Sequence, residues 1–118
     1  MEPRQAIIAL SQSEKVKSGL LWISHCLQLL EGLVGIEKAG AEKVIRNFVG
    51  MVAHEIQLAG KLTGDTAWLE AEKHLDLAIV MINSQVPFEA GFHLTRALSH
   101  VTSICERNMS FLKSEGIF

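Results

Sequence analysis

Cysteine is scarce in this chain of 118 residues: Cys26 and Cys105 are the only two. No Cys-x-x-Cys pair and no Cys/His cluster with zinc-motif spacing occurs, which excludes the common structural zinc domains. Both cysteines fall inside apolar helical patterns, as expected of buried thiols in a reducing compartment. Apolar surroundings raise a thiol pKa, so neither is a good nucleophile. Long apolar runs are absent too. The longest, Leu77 to Ile82, has six residues, far short of the roughly 20 that a membrane-spanning helix needs. The five apolar residues Ala6 to Leu10 are too few for the apolar region of a signal peptide. Neither sign of charge dominates. A formal net charge of −2 gives no general attraction for nucleic acid or anionic membrane. Sustained two-residue alternation is missing, so no strand is expected and no glycine-rich phosphate loop following one. These absences describe a soluble cytoplasmic protein, one domain over residues 1–118, with no cofactor and no nucleic-acid or membrane partner.

What is present is helical. Apolar residues make up 48% of the chain and charged residues 20%, a globular composition. Ser11-Gln12-Ser13-Glu14 is a capping box, and Val16, Leu20, Ile23, Leu27, Leu30 and Val34 follow at spacings of three and four. The first helix either starts there or runs back to Pro3, since Ala6, Ala9 and Ser13 continue the stripe. Gly32, Gly35 and Gly40 punctuate the first connection. A second helix is predicted from Ala41 to Leu62, with Phe48 central in its apolar face, and Gly64 is placed to end it in the left-handed conformation. Asp65 offers an N-cap to a third helix bearing Trp68, Ala71, Leu75, Ala78 and Ile82. Pro87 suits the first turn of a fourth, whose face is Gly91, Leu94, Leu98, Val101, Cys105 and Leu112. Short connections make sequential helices antiparallel. The predicted fold is all-α, an antiparallel up-down-up-down four-helix bundle, with a three-helix arrangement plus a docked segment as its rival.

The five histidines are the first candidates for chemistry. Helical rise puts His54, His74 and His100 about 15 Å from one end of such a bundle and His25 about 21 Å from it. Facing argues against a metal site. His54 lies on the polar stripe of the second helix and His93 and His100 on that of the fourth. The Glu-x-x-His spacing of di-iron bundles does not occur. Glu70–His74 and Glu89–His93 read as surface i, i+4 pairs. On the fourth helix His93, Arg96, His100 and Arg107 form a partly basic ridge suited to an anion or an acidic partner.

The stretch Phe48-Val49-Gly50-Met51-Val52-Ala53-His54-Glu55-Ile56 resembles the H-box of sensor histidine kinases, a family whose histidine accepts a phosphoryl group on a helical hairpin. The resemblance implies that His54 is the phosphoacceptor and Glu55 the neighbouring acid. It also suggests similarity to histidine phosphotransfer domains, which are built on a four-helix bundle. It covers only these residues: Gln57-Leu58-Ala59-Gly60 stands where the kinases carry a basic-polar-Pro-Leu continuation.

Surplus apolar surface carries the leading reading. Between Leu20 and Val34, ten of fifteen residues are apolar. Trp22, Cys26, Leu29 and Leu33 form a second stripe beside the core stripe, and the run containing Val80 and Met81 is apolar on every side. One face of a bundle helix needs about three residues in seven, and the remainder makes a patch that a monomer does not leave bare. The chain reads as a helical interaction module rather than an enzyme. It is expected to form a homodimer, or to dock a partner helix, through Trp22, Cys26, Leu29, Leu33, Val80 and Met81. A histidine phosphotransfer domain using His54 is the alternative, and a small-ligand or metal-binding bundle the weaker one.

Overall fold

The computed structural model describes residues 2–118. They form four helices: α1 (Pro3–Leu30), α2 (Gly35–Thr63), α3 (Ala67–Asn83) and α4 (Pro87–Ser114). No strand occurs among the described residues, and no helix is long and apolar enough to cross a membrane.

The first helix begins at Pro3, not at the capping box. Ser11 lies on an exposed turn inside α1, and the buried Ser13 hydroxyl donates back to the carbonyls of Ala9 and Leu10. A cap is worth about 1 kcal/mol. Burying Ala6 and Ala9 along two further turns makes continued helix the better outcome. The second helix also starts earlier than its apolar pattern, at Gly35 with φ 62, so Gly40 lies inside it rather than in a loop. Val34, expected on the core stripe of α1, is instead the residue before α2 and is 80% exposed.

The expected stops are present. Gly64 ends α2 at φ 66 and donates to the Gly60 carbonyl. Asp65 then does two jobs. Its Oδ1 accepts from the Ala67 N–H at 2.9 Å, and its Oδ2 accepts from the Arg107 guanidinium at 2.8 Å. After α4, the Ile117 N–H bonds to the Leu112 carbonyl and that of Gly116 to Lys113, with Gly116 at φ 75. That is a Schellman motif. A second one closes α3, with Gln85 at φ 64 in the place glycine usually takes. The Val86 N–H reaches the Met81 carbonyl there, and the Gln85 amide donates to the largely buried Glu42 at 3.1 Å.

Contacts between helices set their directions. Gln12 near the start of α1 donates to Glu55 near the end of α2. Gln57 donates to Glu72 across α2 and α3, Arg107 on α4 to Asp65 just ahead of α3, and Cys105 to Glu14 across α4 and α1. Each pairs an early turn of one helix with a late turn of the next, so neighbours are antiparallel. The packed pairs are α1/α2, α2/α3, α3/α4 and α1/α4. The four helices therefore close a ring, in an up-down-up-down bundle.

The core follows the predicted stripes: Val16, Leu20, Ile23, Leu27 and Leu30 on α1, Ile45, Val49, Val52 and Ile56 on α2, all five predicted positions on α3, and Leu94, Val101 and Leu112 on α4. Three residues expected on the apolar face of α2 are not in it, the half-buried Ala41 among them. Leu62 is exposed. Phe48 is half-buried at the margin, its ring edge-on to Trp22 with centroids 6.4 Å apart. The largest fully buried side chain is Trp68. Trp68→Ala is expected to cost about 3–5 kcal/mol and Phe48→Ala about 1–1.5 kcal/mol, an order that denaturant melts of the two variants will check.

One close approach sets the α1/α2 spacing. A Cβ at Gly19 would lie 2.8 Å from Val52 Cγ2, whereas one at Gly50 meets nothing within 4 Å. Val52 is branched and packed into the core, so it has no free rotamer to yield. Gly50→Ala should raise stability by about 1 kcal/mol through helix propensity alone. Gly19→Ala makes the same gain but overpacks the interface at a cost of about 1–3 kcal/mol, so its urea midpoint should fall below that of Gly50→Ala and not exceed the wild type.

Candidate functional site

The polar stripe of α4 does not face open solvent along its whole width. Antiparallel packing lays it against the matching stripe of α3, and three histidines meet in that groove. The His74 ring stacks on His100, with centroids 5.1 Å apart and planes at 15°, and on the other side approaches His93 at 6.4 Å and 22°. All three are half-buried. The Nδ1 atoms of His74 and His93 are buried and have no hydrogen-bond partner. Glu70, one turn before His74, joins them, and the ligand atoms of Glu70, His74 and His100 all lie within 4.8 Å of one another. Burial, then His100 and Arg96, hold the His74 imidazole below the usual histidine range, opposed by Glu70.

The expectation that these histidines are solvated surface residues is corrected by this arrangement. The missed signal was the hairpin itself. A turn at Ser84–Val86 folds α4 back along α3 and sets His74 opposite the stretch between His93 and His100.

The four residues of the α4 ridge do not share one open face. His93 and His100 turn towards α3. Arg107 is engaged by Asp65, and Arg96 lies over the Phe92 ring at 4.4 Å.

His25 and His54 lie apart from the cluster, both exposed. His54 stands on the outer side of α2, beside a shallow surface formed by Asn47, Gly50, Met51 and Glu55. The neighbouring Glu55 is engaged from α1. Its carboxylate accepts from Gln12 at 3.0 Å and pairs with Lys15 at 3.4 Å. The Gln12 bond, then Lys15, keep Glu55 below the ordinary carboxylate range.

The surplus apolar residues divide between two faces. Trp22 is 61% exposed and Leu29 60%, on the side of α1 turned towards α2. Beside them on α2 stand Val44 at 68% and Met51 at 67%, with Phe48 between at helical spacing. Trp22, Phe48 and Met51 line a shallow groove with Gly19, Lys15 and Glu55. Cys26 and Leu33 turn inward and pack partly against the core. Val80 and Met81 are on α3, across the ring from α1. Val80 is 52% exposed, while Met81 packs against the core. The α2 members of the face, Val44 and Met51, were not singled out from the sequence. Their seven-residue spacing around Phe48 was the available signal, and assigning Phe48 to the core concealed it.

Both thiols are free. Cys105 is buried and donates to Glu14 Oε1 at 3.1 Å. Burial, then that carboxylate, push its pKa up, which leaves it unreactive. Cys26 is half-buried. Maleimide labelling of the native protein, followed by peptide mass mapping, should modify Cys26 well before Cys105, and the difference should vanish in denaturant. Comparison of the chain with family models, characterised proteins and solved structures finds no match.

Proposed function

We propose that this chain is a helical interaction module that forms a homodimer by packing its α1/α2 face against the same face of a second copy. The supporting observation is that Trp22, Leu29, Val44 and Met51, on two adjacent helices, are each more than half exposed. Removing the rest of each side chain from water contributes about 1 kcal/mol. A two-fold axis makes every residue act twice, which brings the total into the range of the entropy lost on association. Two helices meeting two helices also gives a four-helix interface with the geometry of the bundle's own core. The free thiols accord with a reducing, cytoplasmic setting.

Leu29→Glu is expected to leave the helical circular dichroism intact and to give a monomer in light scattering, whereas the unmodified chain gives a dimer at tens of micromolar. A monomeric wild type would exclude self-association and leave docking of a partner helix on this face. Acid-labile phosphate on the protein, absent from His54→Gln, would replace this reading with phosphoryl transfer at the exposed His54.

A further inference from the structure

We propose that Glu70, His74 and His100 form a binding site for a divalent transition-metal ion of the zinc type, in the groove between α3 and α4. Among the described residues this is the group of His, Cys, Asp and Glu side chains whose ligand atoms converge, all within 4.8 Å of one another. The donor set is two imidazoles and a carboxylate. That suits zinc, cobalt or nickel, and not magnesium or calcium, which prefer oxygen alone.

The spacing is within reach of closure. Tetrahedral zinc holds its ligands at about 2.0–2.1 Å, which sets neighbouring donors about 3.4 Å apart. Rotation of the two imidazoles about χ2, a broad and shallow torsion, draws the donors in and brings both ring planes onto the ion. Glu70 and His74 are one helical turn apart on α3, and His100 faces them from α4.

A second, independent observation points to a ligand. The Nδ1 atoms of His74 and His93 are buried without a partner, and buried polar atoms of that kind are ordinarily satisfied. A metal ion on the His74 ring supplies a ligand bond to one nitrogen and sets which nitrogen of the ring carries the proton. His93 stacks against His74 outside the converging group, so the fourth position falls to a water. Arg96 opposes a cation here. Its guanidinium is drawn over Phe92, and the Glu70 carboxylate offsets its charge.

The site lies on α3 and α4, away from the α1/α2 face, so it stands or falls independently of dimerisation. The test is titration of the full chain with zinc chloride by calorimetry, repeated with cobalt(II) and followed in the visible spectrum. One zinc per chain is expected, with a raised thermal midpoint. Cobalt absorption in the four- or five-coordinate range should appear. His74→Gln and His100→Gln, each checked for native helicity, should weaken binding at least ten-fold and abolish the thermal shift, while His25→Gln and His54→Gln bind as the wild type does. Nitrogen-15 spectra of the wild-type histidine rings give a readout that needs no variant: the His74 and His100 resonances should shift on adding zinc. No saturable binding, or binding unchanged in both His74→Gln and His100→Gln, would overturn the site and leave the three rings as stacked packing groups.

Discussion

Short connections constrain this protein more than any single contact does. Residues 31–34, 64–66 and 84–86 are all that separate the four helices, so each helix must return beside the one before it. Once the turns are formed, the register of every neighbouring pair follows. Gly64 and Gln85 both adopt left-handed backbone at such turns, and the bonds they make to the preceding carbonyls hold the exit angle of α2 and α3. Asp65 ties the α2–α3 turn to the last third of α4 through Arg107. The Gln85 amide ties the α3–α4 turn to Glu42 at the start of α2. These two connections are thus anchored to helices that they do not directly join.

The polar groups at the core margin are arranged by the same geometry. Gln12 and Ser13 are buried on α1 and Asn108 on α4. Ser13 and Asn108 bond back to their own helix, Asn108 to the Ile104 carbonyl at 2.7 Å, while Gln12 crosses to Glu55. Buried polar side chains are tolerated where such partners exist. Gly19 acts at the same α1/α2 seam from the apolar side, where its missing side chain admits Val52. Trp22 and Met51 stand on the outer side of this seam, with Phe48 at its margin.

The two surfaces of interest consequently lie on opposite sides of the ring. The apolar face belongs to α1 and α2 and the histidine cluster to α3 and α4. Each is built across one antiparallel helix pair, and neither needs residues from the other. The proposed dimer through the first would leave the second uncovered, so the proposed assembly and the proposed metal site do not depend on each other.

Much of the fold was legible because its causes are local. Apolar spacing of three and four marks which side of each helix is buried, and Gly64, Pro87 and Gly116 act through their own backbone restrictions, so the helices, the stops and most of the core follow from neighbouring residues alone. The surplus on α1 was legible for the same reason. Three features were not. The start of α1 was decided by a competition between a local cap at Ser11 and burial of Ala6 and Ala9 against other helices. Phe48 satisfies the apolar spacing of α2, yet the rotation of that helix against α1 leaves it at the margin beside Trp22. His93 and His100 lie on a stripe that is polar by sequence, and only the packing of α4 along α3 makes that stripe a groove with His74 and Glu70 in it. Periodicity states which side of a helix is apolar; the rotation and register that decide what a polar side chain meets depend on residues far away in the chain.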